Sequence, residues 1–273
     1  MDNIIVRKPA VAGKFYPGSP NEIKKQIRGF LDDKISKSEA IACILPHAGY
    51  IYSGKVACQT IASINLKNKL VILGPNHTGI GKQFSIICQG TWQTPLGDIK
   101  IDGSLAKNIL NQSEYLEEDN LAHLYEHSIE VELPILQYFK PDFQIVPIVC
   151  FPGQLQKLKK IGQDIARAII DSGLKDSVTL IASSDMTHYE PYKQAQKKDN
   201  NAIQSILELD ESGLERKIKE ENITMCGWVP VVITLCAAKL LGAKTARLIN
   251  YQTSGDVTGE MDSVVGYAGI VIS

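Results

Sequence analysis

The sequence predicts a single α/β domain with a mainly parallel, mixed central sheet and helices on both faces. Three observations predict it. Short apolar, β-branched runs alternate with longer stretches of helical period. Several runs are continuously apolar, as strands buried on both faces are. The chain has 273 residues, enough for one large core, and no Pro-, Gly- or Ser-rich linker or internal repeat divides it. Residues 1–273 are therefore expected to form one domain.

Taken in order, strands are expected at 41–45, 70–73, 84–88, 143–150, 178–182, 246–251 and 264–272. Helices are expected at about 20–33, 54–64, 103–111, 126–139, 153–172, 195–209, 211–220 and 228–241. Ser19-Pro20-Asn21-Glu22 opens the first helix with a cap residue and a proline just inside. Pro230 fits the first turn of the last, which is apolar nearly all round and so expected to be buried. The polar stretch 189–201 reads as an exposed loop or surface helix.

Composition excludes several classes. Lys+Arg (29) and Asp+Glu (30) nearly cancel, so there is no basic excess for nucleic-acid binding. No apolar run reaches membrane-spanning length, and Met1-Asp2-Asn3 leads into Arg7-Lys8-Pro9 without a signal-peptide pattern. Six scattered cysteines, none in a C-x-x-C pair, fit a cytoplasmic protein in which most are small buried hydrophobes.

The polar residues fall in a pattern. One buried run ends at Pro46-His47-Ala48-Gly49-Tyr50, another at Gly74-Pro75-Asn76-His77-Thr78-Gly79, and a third at Ser183-Ser184-Asp185-Met186-Thr187-His188. Ligands of open α/β sheets bind at the carboxyl ends of strands. Alone, a histidine in such a turn is usually only a turn residue; three after separate strands point to one site. Gly49, Gly54, Gly74 and Gly79 suit positive φ or close backbone approach to a ligand. Cys226 lies at or just before the helix that Pro230 opens, where the helix dipole favours thiolate. A packed structural cysteine is the alternative.

His123-Leu124-Tyr125-Glu126-His127 matches H-x-x-E-H, the inverted zinc-peptidase motif. A helix beginning near Glu126 would leave His123 outside it and spoil the spacing. His127 then reads as a helix-start residue or as support for a neighbouring site.

These segments resemble the Memo family. The resemblance rests on Val6-Arg7-Lys8-Pro9-Ala10-Val11-Ala12-Gly13-Lys14-Phe15-Tyr16-Pro17, Pro46-His47-Ala48-Gly49-Tyr50, Leu73-Gly74-Pro75-Asn76-His77, Thr94-Pro95-Leu96-Gly97, Glu126-His127-Ser128-Ile129-Glu130, Ser183-Ser184-Asp185-Met186-Thr187-His188 and Met225-Cys226-Gly227. They occur in order over essentially the whole chain. The resemblance implies a fold like that of the class III extradiol (LigB-type) dioxygenases, which use non-haem iron(II). It places metal ligands on His47, His77 and Cys226, with Asp185 and His188 beside them. Prokaryotic members are often called AmmeMemoRadiSam system protein B, which implies a link to AMMECR-type and radical-SAM proteins. The dioxygenases complete two histidines with a carboxylate, whereas here Cys226 takes that place. A thiolate is softer, so copper or zinc competes with iron(II).

The resulting expectation is a metal-dependent, dioxygenase-like oxidoreductase. His188 would be its acid/base, Asp185 would orient His188 or a metal-bound water, and His127 would add a donor. The alternatives are a non-catalytic metal- or peptide-binding module and, more remotely, a zinc peptidase through His123, Glu126 and His127. The substrate, a small molecule or a peptide, is not identified by the sequence.

Overall fold

The computed structural model describes residues 5–31 and 36–273. Val6–Arg7 forms β1 and Pro20–Gly29 forms α1. Ala42–Leu45 (β2) leads into Tyr50–Ala62 (α2), followed by Lys69–Pro75 (β3) and Phe84–Ile86 (β4). A hairpin joins Thr91–Thr94 (β5) to Gly97–Ile101 (β6). Then come Gly103–Gln112 (α3), Glu117–Glu118 (β7) and Leu121–Leu124 (α4). A 3-10 turn at Glu130–Glu132 enters Leu133–Phe139 (α5), ahead of Gln144–Cys150 (β8) and Leu155–Asp171 (α6). Val178–Ser183 (β9), His188–Glu190 (β10), Tyr192–Leu207 (α7) and Glu211–Glu220 (α8) follow. Trp228–Leu240 (α9), Ala246–Thr253 (β11), Gly255–Thr258 (α10) and Val264–Ile272 (β12) complete the described chain.

The main path through the mixed sheet runs β1-β5-β6-β8-β3-β9-β2-β12-β10, with β11 on β12 and β4 on β8. Its centre is parallel: β8, β3, β9 and β2 all point one way. Those strands are wholly buried apart from the first residue of β3 and of β8. Alternate residues feed two cores. Ile44, Val71, Leu73, Leu180 and Ala182 pack on one face with α6 and α9; Cys43, Leu45, Leu70, Ile72 and Ile181 pack on the other with α1, α2 and α5. Five cysteines, at 43, 58, 88, 150 and 236, are buried thiols within these layers, as expected.

Several expected boundaries shift, each for a local reason. The first helix ends at Gly29; its expected last positions, 32 and 33, lie outside the described residues. α2 starts four residues earlier than expected because Gly49 already serves as its N-cap. The strand expected at 84–88 stops at Ile86. The β5–β6 hairpin was not anticipated, although Trp92, Thr94, Ile99 and Ile101 are buried at the strand period of two. Most of the polar stretch 189–201 is helix, since α7 begins at Tyr192.

The helix expected at 126–139 is the main correction. Its first four residues are a turn, and the α-helix begins only at Leu133. The Glu126 carboxylate accepts the backbone N–H groups of His127 (2.9 Å) and Ser128 (2.8 Å). Such side-chain acceptance competes with the helical ladder. His127 is therefore a turn residue, not a helix start.

Candidate metal centre

Strand order assembles the site. β3, β9 and β2 are neighbours, and their ends are level: Leu73 pairs with Ala182, and Leu45 with Ser183. His47 follows β2 by two residues, Asp185 follows β9 by two, and His77 follows β3 by two. Cys226 precedes α9, whose N-cap is Gly227. The Gly227 N–H donates to Ser184 Oγ (3.0 Å), which docks this turn on the end of β9. A Cβ at Gly227 would lie 2.1 Å from the Ser183 carbonyl oxygen, so only glycine permits the approach.

His47, His77 and Cys226 each offer a ligand atom within 4.8 Å of the others. The His47 Nε2 to Cys226 Sγ distance is 3.4 Å. Two ligands of one tetrahedral metal, at the usual Zn–N and Zn–S lengths, would be about 3.5 Å apart. The other ring nitrogens are committed. Ser183 Oγ spends its proton on the Ser128 carbonyl (2.7 Å), so it must accept from His47 Nδ1–H (2.8 Å). His77 Nδ1–H donates to Glu126 Oε1 (2.9 Å). Both Nε2 lone pairs are thereby left for a cation, with the neutral tautomer that metal binding needs.

Glu126 is the hub of this arrangement. It is 1% exposed and accepts the His77, His127 and Ser128 backbone N–H groups as well as the His77 ring. Burial alone would raise its pKa; the His77 interactions override burial and bring it down to about 2. Glu130 holds the same segment from below. It accepts from Arg7, from the Ala10 and Val11 N–H groups and from Tyr16 Oη. Arg7 also donates to the His123 and Glu126 carbonyls. The N-terminal segment is thus stapled to the turn carrying Glu126 and His127, and this places Phe15 4.7 Å from the His127 ring.

The thiol behaves contrary to the helix-dipole expectation. Burial, and next the Asp185 carboxylate, push the Cys226 pKa well up. The helix N-terminus is outweighed, and a coordinated cation is what would favour the thiolate here. The Asp185 N–H already points at the sulfur (3.3 Å).

Asp185 does not orient His188 through any hydrogen bond found in the structure. Its Oδ1 instead accepts the N–H groups of His47 (2.8 Å) and Ala48 (3.3 Å), and burial raises its pKa to about 6. Thr224 orients His188: its Oγ1 accepts the His188 N–H (2.7 Å) and its carbonyl accepts Nδ1–H (2.8 Å). His127 stacks on His77, with centroids 4.6 Å apart. His47, His77, His127, Asp185 and His188 line a cavity of about 480 Å³ together with Lys14, Phe15, Tyr52, Tyr189 and Tyr267.

His123 lies elsewhere. It is wholly buried, its ring centroid 6.0 Å from that of Trp92, and burial pushes its pKa down to about 3. The H-x-x-E-H residues therefore do not form one zinc site: Glu126 and His127 group with His77 instead. Of the four glycines expected at positive φ, only Gly79 has it. Gly74 and Gly54 make room for protein neighbours, Ser128 Oγ (2.4 Å from an added Cβ) and the Phe30 ring (2.6 Å). Sequence reasoning missed Ser183 and Thr224, and placed Glu126 only in the H-x-x-E-H motif, not as the partner of His77. The signal available was the Glu126-His127-Ser128 and Ser183-Ser184-Asp185 strings themselves.

Fold and site together define an α/β protein with a candidate His/His/Cys metal centre at the carboxyl ends of its parallel strands. The Memo family model ("Memo-like protein") matches residues 7–271. A MEMO1 family protein of Methanosarcina barkeri is 42% identical over 269 residues, covering 98% of this chain and 100% of the relative. One of Aquifex aeolicus is 42% identical over 270 residues, covering 97% and 98%. The chain belongs to the Memo family. Among solved structures, the uncharacterized protein JW3007 from Escherichia coli K12 shares the fold (TM-score 0.55, 13% identity, 84% of this chain and 98% of that one). Among the described residues, no helix is long and apolar enough to cross a membrane.

Proposed function

We propose that the protein is a metal-dependent, dioxygenase-like oxidoreductase in which His47, His77 and Cys226 hold one divalent ion. The observation that supports this is the orientation of both imidazoles. Ser183 and Glu126 engage their Nδ1 atoms, His47 Nε2 lies 3.4 Å from the Cys226 sulfur, and His77 offers a ligand atom within 4.8 Å of both. A three-residue set leaves positions open toward the cavity, as catalytic metal sites require. Bound there, the metal would supply Lewis acidity and, for iron(II) or copper, a redox couple. The two histidines suit iron(II), copper and zinc alike; the thiolate favours copper or zinc.

The chain's own residues do the rest. His188, held by Thr224 through Nδ1, presents Nε2 as the proton carrier. Asp185 anchors the backbone of His47 and so fixes its imidazole over the cavity. His127, between Phe15 and His77, forms part of one wall of the cavity. Lys14 adds a positive charge to the lining.

The test is anaerobic loading with iron(II), copper or zinc, with stoichiometry measured for wild type, His47→Ala and Cys226→Ser. One equivalent in wild type and loss in both variants is expected; unchanged binding in both refutes the site. Oxygen consumption with a panel of catechols, abolished by His188→Ala, supports an enzyme. Metal bound without turnover on any substrate supports the non-catalytic metal- or peptide-binding module instead.

A further inference from the structure

Among the described residues, three other than glycine have positive φ: Tyr189 (59°), Leu209 (54°) and Asn222 (50°). Leu209 and Asn222 lie two residues beyond α7 and α8, where a left-handed residue is an ordinary helix stop. Tyr189 is different, because it interrupts a strand. His188 pairs with Val265 and Glu190 with Val264, so two steps along β10 match one along β12. Tyr189 is the extra residue of a β-bulge, a device that re-aims side chains beside functional sites.

The residues on either side are tied down. His188 is held by Thr224, and Glu190 pairs with Lys198. Tyr189 is 78% exposed, the most exposed of the large hydrophobic side chains among the described residues. It nevertheless lines the cavity over His47 and His77, its ring centroid 5.7 Å from that of His188. Glycine would take this conformation without strain. An aromatic ring so exposed, on left-handed backbone and lining a cavity, touches only the His188 ring among the described aromatic side chains and is not explained by burial in the core.

We infer that Tyr189 is a specificity-determining residue. Its ring stacks on the flat face of a planar, conjugated ligand that reaches the His47, His77 and Cys226 cluster. The inference rests on the metal reading above. A ligand of this class gains from an offset or edge-on ring contact, whereas an aliphatic ligand of equal chelating power does not.

The experiment uses the full chain loaded with zinc, which is redox-inert, and two probes. Tropolone is a planar conjugated chelator; acetohydroxamate is an aliphatic one. Both are titrated into wild type, Tyr189→Phe, Tyr189→Ala and Tyr189→Gly, with metal content measured before and after. Tropolone is expected to bind Tyr189→Phe within twofold of wild type. It should bind the Ala and Gly variants about tenfold more weakly, equivalent to about 1.4 kcal/mol. Acetohydroxamate affinity should stay within twofold throughout. Tyr189→Gly should melt above Tyr189→Ala, because glycine relieves the φ strain that alanine keeps. Equal tropolone affinity in all four proteins overturns the inference, as does an equal loss for both chelators. Zinc retained by wild type with no tropolone bound also overturns it and leaves the metal site standing. Failure of wild type to hold zinc refutes the metal site and takes the inference with it.

Discussion

Replacing Glu126 by glutamine tests the centre at its hub. In the native protein, Oε1 accepts from the His77 ring and from the His127 and Ser128 N–H groups, while Oε2 accepts from the His77 N–H. An amide has one oxygen. Placed at the Oε1 position, it leaves its NH2 facing the His77 N–H, donor against donor. Turned over, it presents the NH2 to three donors; a shift of the His77 proton from Nδ1 to Nε2 relieves one of them and leaves the His127 and Ser128 N–H groups unsatisfied. That tautomer blocks the ligand atom. One unsatisfied buried donor costs about 1–3 kcal/mol, and the lost charge weakens the remaining bonds. A stability loss of about 2–3 kcal/mol is expected, or roughly 4–12 °C in melting temperature for a domain of this size. Metal affinity should fall about 10- to 100-fold, the usual effect of removing a ligand's orienting partner. Thermal melts without metal and competition titrations with a chelator of known affinity measure the two separately. Loss of stability with metal affinity unchanged would show that Glu126 only shapes the turn, and would refute the argument that it sets the His77 tautomer.

Two further outcomes follow from the same groups. Arg7→Ala leaves Glu130 wholly buried without its cation, so a loss of about 3–5 kcal/mol is expected in urea unfolding; a loss below about 1 kcal/mol would contradict the staple. Acid stability reports on His123. Its folded pKa, about 3, lies below the ordinary value of 6.5, so its stabilising contribution is lost as pH falls from about 6.5 to 3. Glu126, at about 2 against 4.5, loses its contribution between pH 4.5 and 2. Replacing His123 with leucine should lower the slope of stability against pH by about 1.4 kcal/mol per unit between pH 6 and 4.5 without changing metal content. His47 and His127, also held down by burial, add slope of the same sign, whereas Asp185, Asp199 and Glu132, held up by burial, subtract from it. An unchanged slope would place His123 in contact with solvent, and metal loss would revive the zinc-peptidase spacing.

Much of this was readable from the chain. Runs such as Val71–Leu73 and Leu180–Ala182 read as buried strands because they are continuously apolar, too short for a helix and followed at once by turn residues. His47, His77, Asp185 and His188 stand just past such runs, so they could be placed at one edge. The turn at 126–129 could not be read. Its residues follow a helical period, and only the Glu126 side chain, accepting backbone N–H groups, breaks the ladder. The Thr224–His188 contact spans 36 residues and carries no periodic signal.

The sequence by itself determined the α/β class, the layers of the core and the edge at which chemistry collects, because burial of apolar surface depends on local pattern. Tertiary structure alone decided which of those edge residues meet. The order β3-β9-β2 is a matter of long-range pairing, and it sets His77, Asp185 and His47 side by side. It also separated His123 from His127. One is sealed against Trp92 and the other opens on the cavity, because Arg7 and Glu130 pin the intervening turn across a sequence distance of 123 residues.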